Sequence, residues 1–235
     1  MALHKATLTD GSLEVDHYYL CHYVPLTVGK DFLSRSLLRF KERMELDLSA
    51  WVECSVEVLK SMSIEGYIIV RAFNHVERVH TLSALDHIGV KLAQAINCRY
   101  EPTYLKKAKE VPELKKLNRA NRSKALKDVY QFVPPARSLK SNFLILDDIL
   151  TTGTTTMAIA TAIREQLPSA TITVFTLAKA DYDLQMNEQV IFEAEHFQWH
   201  GNAWEVREDE VQYESLAELK RKIMSDNFSP NQREQ

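Results

Sequence analysis

Two adjacent carboxylates followed by a run of hydroxyl side chains are the residues of this sequence best suited to chemistry. Asp147 and Asp148 follow the apolar stretch 143–146, and the hydroxyl-rich run occupies 151–155. Paired carboxylates can accept hydrogen bonds from a vicinal diol, such as that of a ribose ring. Threonine hydroxyls around a glycine at the start of a helix favour a phosphate, because the first turn has unpaired N–H groups. The segment therefore offers a diol site beside a phosphomonoester site.

The same residues also have a purely structural interpretation. A buried strand can end in an acidic turn, and Thr151 or Thr152 can serve as an ordinary helix cap. The order of apolar run, acid pair and hydroxyl-rich loop over 143–155 favours the binding interpretation. The sequence contains neither a GxxxxGK phosphate loop nor a GxGxxG dinucleotide turn, so two competing nucleotide-binding motifs are excluded.

The elements around this segment predict a strand–helix–strand unit. Apolar and β-branched runs predict buried strands at 143–146 and 171–177. The apolar spacing over 154–167 predicts the helix between them, which Pro168 ends. Such a unit implies a parallel sheet with helices on its faces. The carboxyl end of a parallel strand borders the crevice in which α/β proteins bind ligands, and the acid pair follows directly on such an end.

The rest of the chain predicts further helices, one more strand and a hairpin. The predicted elements are helices at 31–47, 51–62 and 82–96, a strand at 66–70, a hairpin made of 190–199 and 203–206, and a last helix at 208–224. We accordingly expect an N-terminal helical hood over 1–64, an α/β core over 65–182, a C-terminal hairpin and helix over 183–224, and a disordered tail over 225–235.

The string from Phe143 to Thr155 resembles the signature with which type I phosphoribosyltransferases bind 5-phosphoribosyl-1-pyrophosphate (PRPP). The resemblance implies that family's α/β fold, with a parallel-sheet core, helices on both faces and a small hood built from the chain ends. It also implies that Asp147 and Asp148 bind the ribose hydroxyls and act in catalysis. The residues implied to bind the 5-phosphate are Thr151, Thr152, Gly153, Thr154 and Thr155.

A weaker resemblance links the basic segment to one branch of that family. Residues 117–122 (Leu-Asn-Arg-Ala-Asn-Arg) and 127–130 (Lys-Asp-Val-Tyr) are similar to the basic loop of ComF-like phosphoribosyltransferases. The resemblance implies that Arg119 and Arg122 contact the diphosphate leaving group, with Arg122 assisting catalysis. The alternative is an exposed basic helix. Unlike many ComF-like proteins, the chain has no N-terminal CxxC pairs that could hold zinc.

Residues 68–74 take the place of the family's pyrophosphate loop, which directly follows a core strand. This position implies diphosphate contacts from Arg71 and from the backbone of Ala72. The alternative is that Arg71 ends the strand and pairs with a carboxylate. The proline-containing turn usual in the family is replaced here by Arg71-Ala72-Phe73.

The resemblance implies an enzyme that moves ribose 5-phosphate between PRPP and a nitrogen acceptor, in the first instance a nucleobase, with pyrophosphate leaving. It implies Mg²⁺ carried by the substrate, without a dedicated protein metal site. Lys179, Asp181 and Tyr182 follow strand 171–177 and are candidate acceptor contacts. Two other functions stay open: a non-catalytic regulator that senses PRPP or a nucleotide, and an accessory protein in DNA uptake.

Composition and charge limit the remaining classes. A chain of 235 residues with 45% hydrophobic and 26% charged residues suits a globular α/β protein. The net charge of −3 argues against a nucleic-acid partner, although 106–127 alone combines nine Lys or Arg with two Glu. Because no signal peptide, membrane span or cysteine pair is visible, we expect a cytoplasmic protein without a membrane partner. A homodimer is left open.

Overall fold

The computed structural model of the protein describes residues 3–11, 13–24, 32–74, 77–109, 126, 128–133, 142–180, 197–200, 203–206 and 215–225. The described elements are β1 (His4–Asp10), β2 (Leu13–Tyr23), α1 (Phe32–Lys41), α2 (Glu45–Lys60), β3 (Ile68–Arg71), α3 (Ala84–Ala95), β4 (Arg99–Tyr100), β5 (Leu105–Lys107), β6 (Tyr130–Phe132), β7 (Asn142–Leu150), α4 (Thr154–Gln166), β8 (Thr171–Ala180), β9 (Phe197–His200), β10 (Ala203–Val206) and α5 (Leu216–Ser225).

A six-stranded sheet lies at the centre of the described part of the chain. Its strand order is β1-β2-β8-β7-β3-β4. The five strands from β2 to β4 run parallel to their neighbours, whereas β1 adds an antiparallel edge to β2. The predicted unit of β7, α4 and β8 is present. The expected fold class, a parallel-sheet α/β core with helices on both faces, is therefore confirmed.

The side chains of β7 explain why both faces of the sheet are covered. Successive side chains of a strand point to opposite faces, so a central strand must be apolar throughout. Phe143 and Ile145 pack with residues of α4, whereas Leu144 and Leu146 pack with residues of α1, α2, α3 and α5. All four are buried. Burying each of them stabilises the fold by roughly 1.5–3 kcal/mol.

Strand β7 is longer than the apolar run that predicted it. It continues through Asp147 and Asp148 to Leu150, and Asp147 lies opposite Thr176 of β8 in the ladder. The sequence had indicated that the acid pair follows the strand. In the structure the pair is part of the strand. Because neighbouring side chains of a strand alternate, the two carboxylates start out towards different faces of the sheet.

The single helix predicted for 31–47 is wrong at its C-terminal end. Helix α1 stops at Lys41, Arg43 has a left-handed backbone (φ 61°), and α2 already begins at Glu45. The apolar spacing continued into Met44, but Met44 is 53% exposed whereas Phe40 is buried. The turn places Lys41 at the end of a helix.

The two N-terminal strands had no clear signal in the sequence. The expected hood over 1–64 contains β1 and β2 as well as two helices. Several inward positions of β2 carry polar rings, and the buried His17 Nε2 lies 2.8 Å from Thr176 Oγ1. A strand with such residues inside lacks the alternation of apolar and polar residues that sequence patterning relies on.

At the other end of the chain, β9 and β10 form the antiparallel hairpin that the sequence predicted, with Trp199 opposite Trp204. Helix α5 begins at Leu216, later than the predicted 208, and its Leu219 and Ile223 are buried against α2. None of the described helices combines the length and apolarity that crossing a bilayer requires.

Candidate functional site

A cavity of about 390 Å³ lies at the carboxyl ends of β3 and β7. It is lined by Tyr23, Leu38, Phe40, Lys41, Arg71, Ala72, Phe73, Asn74, Ser83, Ala84, Leu85, Asp147, Asp148, Ile149, Thr151, Thr152, Thr154 and Thr155. The cavity therefore brings together the acid pair, four threonines of the hydroxyl-rich loop and four residues of the segment 68–74. These had been singled out in separate parts of the sequence.

The hydroxyl-rich loop leads directly into the N-terminus of α4. Gly153 is the N-cap residue and has a left-handed backbone (φ 72°), which glycine adopts without steric cost. The hydroxyls of Thr152 and Thr154 are hydrogen bonded at 2.8 Å, and Thr156 Oγ1 donates to the Gly153 carbonyl at 2.9 Å. First-turn N–H groups have no partners within the helix, and the first turn of α4 contains no acidic residue. This end of the cavity favours an anion.

The acid pair forms the next part of the lining. The Asp148 amide donates to Asp147 Oδ1 at 2.9 Å, and the Ile149 amide donates to Asp148 Oδ1 at 2.6 Å. Asp148 Oδ2 lies 2.8 Å from Lys41 Nζ, at the end of α1. The Asp148 side chain is 20% exposed and that of Lys41 is 41% exposed. One member of the pair thus already forms an ion pair, which stands in the cavity and is not buried.

Burial and the neighbouring charge of Asp148 raise the pKa of Asp147 to about 7. The hydrogen bond from the Asp148 amide and the charges of Lys41 and Arg71 oppose this shift. Two carboxylates this close cannot both ionise at the usual acidic pH, because each charge makes the other more costly. The charge of the acid pair therefore changes near neutral pH.

Arg71 has the structural role that was the alternative to diphosphate binding. Its guanidinium is buried, with Nη2 and Nη1 at 2.8 and 3.0 Å from the two carboxylate oxygens of Glu77. Its Nε lies 3.0 Å from Asp86 Oδ2. Arg71 ends strand β3 and pairs with two carboxylates, so its donors are already used within the protein. Contact with a diphosphate stays a prediction.

The segment after Arg71 is held in place from several sides. The Ala72 amide donates to the Leu146 carbonyl at 2.8 Å, and the Ala72 carbonyl accepts from Arg71 Nη1 at 3.0 Å. The Asn74 amide donates to Glu77 at 2.6 Å, and Lys107 Nζ donates to the Asn74 carbonyl. The backbone of Ala72, predicted to contact a ligand, therefore lies in a fixed conformation at the cavity wall.

Tyr100 joins the ion-pair cluster formed by Arg71, Glu77 and Asp86. Its hydroxyl lies 2.5 Å from Asp86 Oδ1, and the His80 Nε2 also lies 2.5 Å from that oxygen. The Tyr100 ring crosses helix α3 at Gly89, where an added Cβ would lie 2.3 Å from ring atom Cδ2. Gly89 is thus required for the ring to reach Asp86, a role that the sequence did not indicate.

Of the other predicted site residues, Arg119, Arg122, Asp181 and Tyr182 lie outside the described residues. Lys179 is described, but its Nζ lies 5.8 Å from the centre of the Tyr19 ring, and it does not line the cavity. Among the described residues, no group of three or more His, Cys, Asp or Glu side chains is placed to hold a metal ion.

The sequence had not singled out the residues that α1, β2 and α3 add to the cavity. Tyr23, Leu38, Lys41 and Leu85 line it together with the predicted residues. Lys41 had a weak signal only, since a basic residue in the last turn of a helix is ordinarily explained by the helix dipole. These residues come from distant parts of the chain and meet only in the folded protein.

Comparisons with known proteins find similarity in structure but not in sequence. No protein-family model matches the chain, and no curated protein matches it by sequence. The structure is similar to that of adenine phosphoribosyltransferase from Saccharomyces cerevisiae in complex with adenine and an imino-altritol bisphosphate. The two are 18% identical, with a TM-score of 0.41, over 78% of this chain and 86% of that chain.

Two further solved structures are similar. Another adenine phosphoribosyltransferase is 19% identical, with a TM-score of 0.40, over 78% of this chain and 88% of that one. A hypoxanthine phosphoribosyltransferase from Staphylococcus aureus is 13% identical, with a TM-score of 0.34, over 58% of this chain and 69% of that one. The α/β fold class itself follows from the strand order and parallel pairings described above.

Proposed function

We propose that this protein binds PRPP and transfers its ribose 5-phosphate group to or from a nitrogen acceptor, as a phosphoribosyltransferase. One observation carries the proposal: a single cavity contains the acid pair Asp147 and Asp148, the threonines of 151–155 and the N-terminus of α4. These are complementary to a ribose diol and a phosphomonoester, the two groups that ribose 5-phosphate combines.

The proposed reaction needs positioning and electrostatics more than covalent chemistry. The ribose hydroxyls donate to the acid pair, while the 5-phosphate accepts from the first-turn amides and from Thr151 to Thr155. The bond between C1 and the diphosphate breaks, the acceptor nitrogen bonds to C1, and the acceptor's proton is released to solvent. Positive charge builds on the ring as the diphosphate leaves, and the nearby carboxylates stabilise that charge.

The oxygen atoms that line the cavity are suitable ligands for Mg²⁺, which we propose enters with the substrate. Carboxylate and hydroxyl oxygens are the ligands that this ion takes, and it usually stays hydrated and shared with substrate phosphates. Asp147 and Asp148 would supply the protein's share of its ligands. When bound with the substrate, the ion would offset negative charge on the diphosphate.

The acceptor is proposed to be a nucleobase. Leu38, Phe40 and Leu85 give the cavity an apolar wall beside the acid pair, and Tyr23 adds an aromatic ring. An apolar wall next to polar groups suits a flat heterocycle, whose faces are apolar and whose edges carry hydrogen-bonding groups.

A calorimetric titration with PRPP and Mg²⁺ tests binding. Asp148→Asn should weaken binding by about 1–3 kcal/mol, because a charged hydrogen-bond partner of the diol is lost. Asp16→Asn is the matched control, since Asp16 forms an exposed ion pair with Lys5 at 3.0 Å on the sheet edge. A wild-type protein that gives no heat with PRPP, or an Asp148→Asn variant that binds like Asp16→Asn, would remove the basis of the proposal.

A second candidate function is a non-catalytic regulator that senses PRPP or a nucleotide. The pairing of Arg71 with Glu77 and Asp86 favours it, because this guanidinium is held within the protein and not directed to a leaving group. Release of pyrophosphate from PRPP with purines, pyrimidines and simple amines separates the two functions. Tight binding without release in the whole series would favour the regulator.

A further inference from the structure

Lys41 is the only cation of the described cavity lining whose charged group is not enclosed by buried partners. The lining contains two cationic side chains among the described residues, Lys41 and Arg71. The guanidinium of Arg71 is buried between Glu77 and Asp86, whereas Lys41 is 41% exposed. The ammonium of Lys41 is therefore more accessible to a ligand in the cavity than the guanidinium of Arg71.

Lys41 occupies a position at which a diol bound to Asp148 would have to lie. Both oxygens of Asp148 are engaged, Oδ1 by the Ile149 amide at 2.6 Å and Oδ2 by Lys41 Nζ at 2.8 Å. A ribose hydroxyl that donates to Oδ2 must share this oxygen with Lys41 or displace it. Lysine suits such an exchange, because its ammonium is a point charge on a flexible stem with three rotatable donors.

The position of Lys41 indicates which part of the substrate it would meet. Helices α1 and α4 pack on opposite faces of the sheet, and Lys41 is the last residue of α1. A sugar phosphate with its 5-phosphate at the N-terminus of α4 and its diol at the acid pair has its other end towards α1. In PRPP, that end carries the diphosphate.

Charge balance supports the same assignment. Burial alone would lower the pKa of Lys41, but the hydrogen bond and charge of Asp148, with the charge of Asp147, outweigh burial and raise it. The ammonium thus stays charged throughout the neutral range. When a diol takes over Asp148, this charge needs a new anionic partner, because an unpaired charge in a partly enclosed site is costly.

We propose that Lys41 is a substrate-contacting residue that exchanges Asp148 for an oxygen of the diphosphate when PRPP binds. The inference rests on the proposed function, since it assigns a role within the same site. The exchange couples the two ends of the substrate: the diol releases Lys41 from Asp148, and the released ammonium holds the leaving group. Ribose 5-phosphate, which has no diphosphate, cannot provide the second half of this exchange.

The test compares two ligands on matched variants. Affinities for PRPP with Mg²⁺ and for ribose 5-phosphate are measured by calorimetry on the wild type, Lys41→Met, Lys41→Arg and Lys220→Met. Lys220 is the control, because it forms a similar ion pair with Glu53 at 2.7 Å on α5, away from the cavity. Thermal unfolding of each variant verifies that it is folded.

The expected result is a selective loss. Lys41→Met should bind PRPP about tenfold more weakly or worse, should bind ribose 5-phosphate within about threefold of the wild type, and Lys41→Arg should recover most of the PRPP affinity. Equal losses for both ligands, no change, or tighter binding of both would overturn the inference; the last would mean that Lys41 merely competes for Asp148. If the wild type binds neither ligand, the proposed function itself fails, and the inference with it.

Discussion

Arg71 and Glu77 form a doubly hydrogen-bonded ion pair, at 2.8 and 3.0 Å, directly behind the wall of the candidate site. Burial alone would raise the pKa of the Glu77 carboxyl, but the bonds from Arg71, Thr81 and the Asn74 amide outweigh burial and lower it. The pair therefore stays ionised. It links the end of β3 to the segment that bears Ala72 and Asn74, so the cavity wall depends on this buried charge pair.

Removing one charge from this pair should destabilise the protein strongly. Glu77→Gln leaves the buried guanidinium of Arg71 with Asp86 as its remaining carboxylate, and breaking a buried pair costs roughly 3–5 kcal/mol. The free energy of unfolding in urea measures this loss. The control is Glu53→Gln, which breaks the exposed pair with Lys220 and should cost less than about 1 kcal/mol. Equal losses in the two variants would contradict the structural role of the Arg71 pair.

The raised pKa of Asp147 predicts a stability that falls with pH. The folded-state pKa of about 7 lies above the ordinary value of 3.8, so the folded protein binds the proton more tightly than the unfolded chain. The resulting stabilisation is full below about pH 4 and is lost as the pH rises through 7. Asp147→Asn removes this loss and should be more stable than the wild type at pH 8 by at least about 1 kcal/mol, the equivalent of one pKa unit.

Unfolding of Asp147→Asn and of the wild type at pH 5 and pH 8 measures the effect. The wild type should lose stability between these values by more than the variant does. Asp148→Asn provides a second comparison, because the charge of Asp148 is the second cause of the shift, after burial. It should reduce the pH dependence without removing it. The same slope in all three proteins would show that Asp147 titrates at its ordinary pKa.

The sequence was most informative where all parts of a feature are adjacent in the chain. The strand, acid pair, hydroxyl-rich loop and helix start lie within 143–155, so their arrangement depends on local geometry alone. The parallel sheet followed from the same local pattern, because a strand–helix–strand unit leaves few topologies. The extension of β7 through Asp147 and Asp148 was missed, since acidic residues are rare in strands and ordinarily mark their ends.

Features made by residues far apart in the chain could not be predicted in this way. Lys41 meets Asp148 only because α1 folds across the carboxyl end of β7. For Arg71 the sequence left two roles open, and the choice depended on where Glu77 and Asp86 would lie. Strand β2 escaped notice because His17 and Tyr19 occupy inward positions that usually carry aliphatic residues.

Gly89 should not tolerate even the smallest side chain. Alanine would place its Cβ 2.3 Å from the Tyr100 ring, which cannot move without losing the bond to Asp86. Overpacking of this kind costs about 1–3 kcal/mol, more than the gain of up to about 1 kcal/mol that alanine gives a helix. We therefore expect Gly89→Ala to lower the free energy of unfolding.

A double-mutant cycle checks the cause of that loss. In the Tyr100→Ala background the ring is absent, so the same Gly89→Ala substitution should become neutral or stabilising through helix propensity alone. The measurement is the free energy of unfolding of the four proteins. If Gly89→Ala costs as much without the ring as with it, the contact with Tyr100 is not the reason for the glycine.

Lys107 should give the protein a second pH dependence, opposite in sign to that of Asp147. Burial lowers its pKa to about 8, against the weaker opposing effect of Glu77, while its Nζ donates to the Asn74 carbonyl at the cavity wall. The folded protein then binds this proton less tightly than the unfolded chain. Stability should therefore rise between about pH 8 and pH 10.5, a window above that of Asp147.

Lys107→Met should abolish this rise and leave the fall between pH 5 and pH 8 intact. Urea unfolding across pH 5–10 measures both windows, and a wild type whose stability does not rise above pH 8 would show that Lys107 titrates like an exposed lysine.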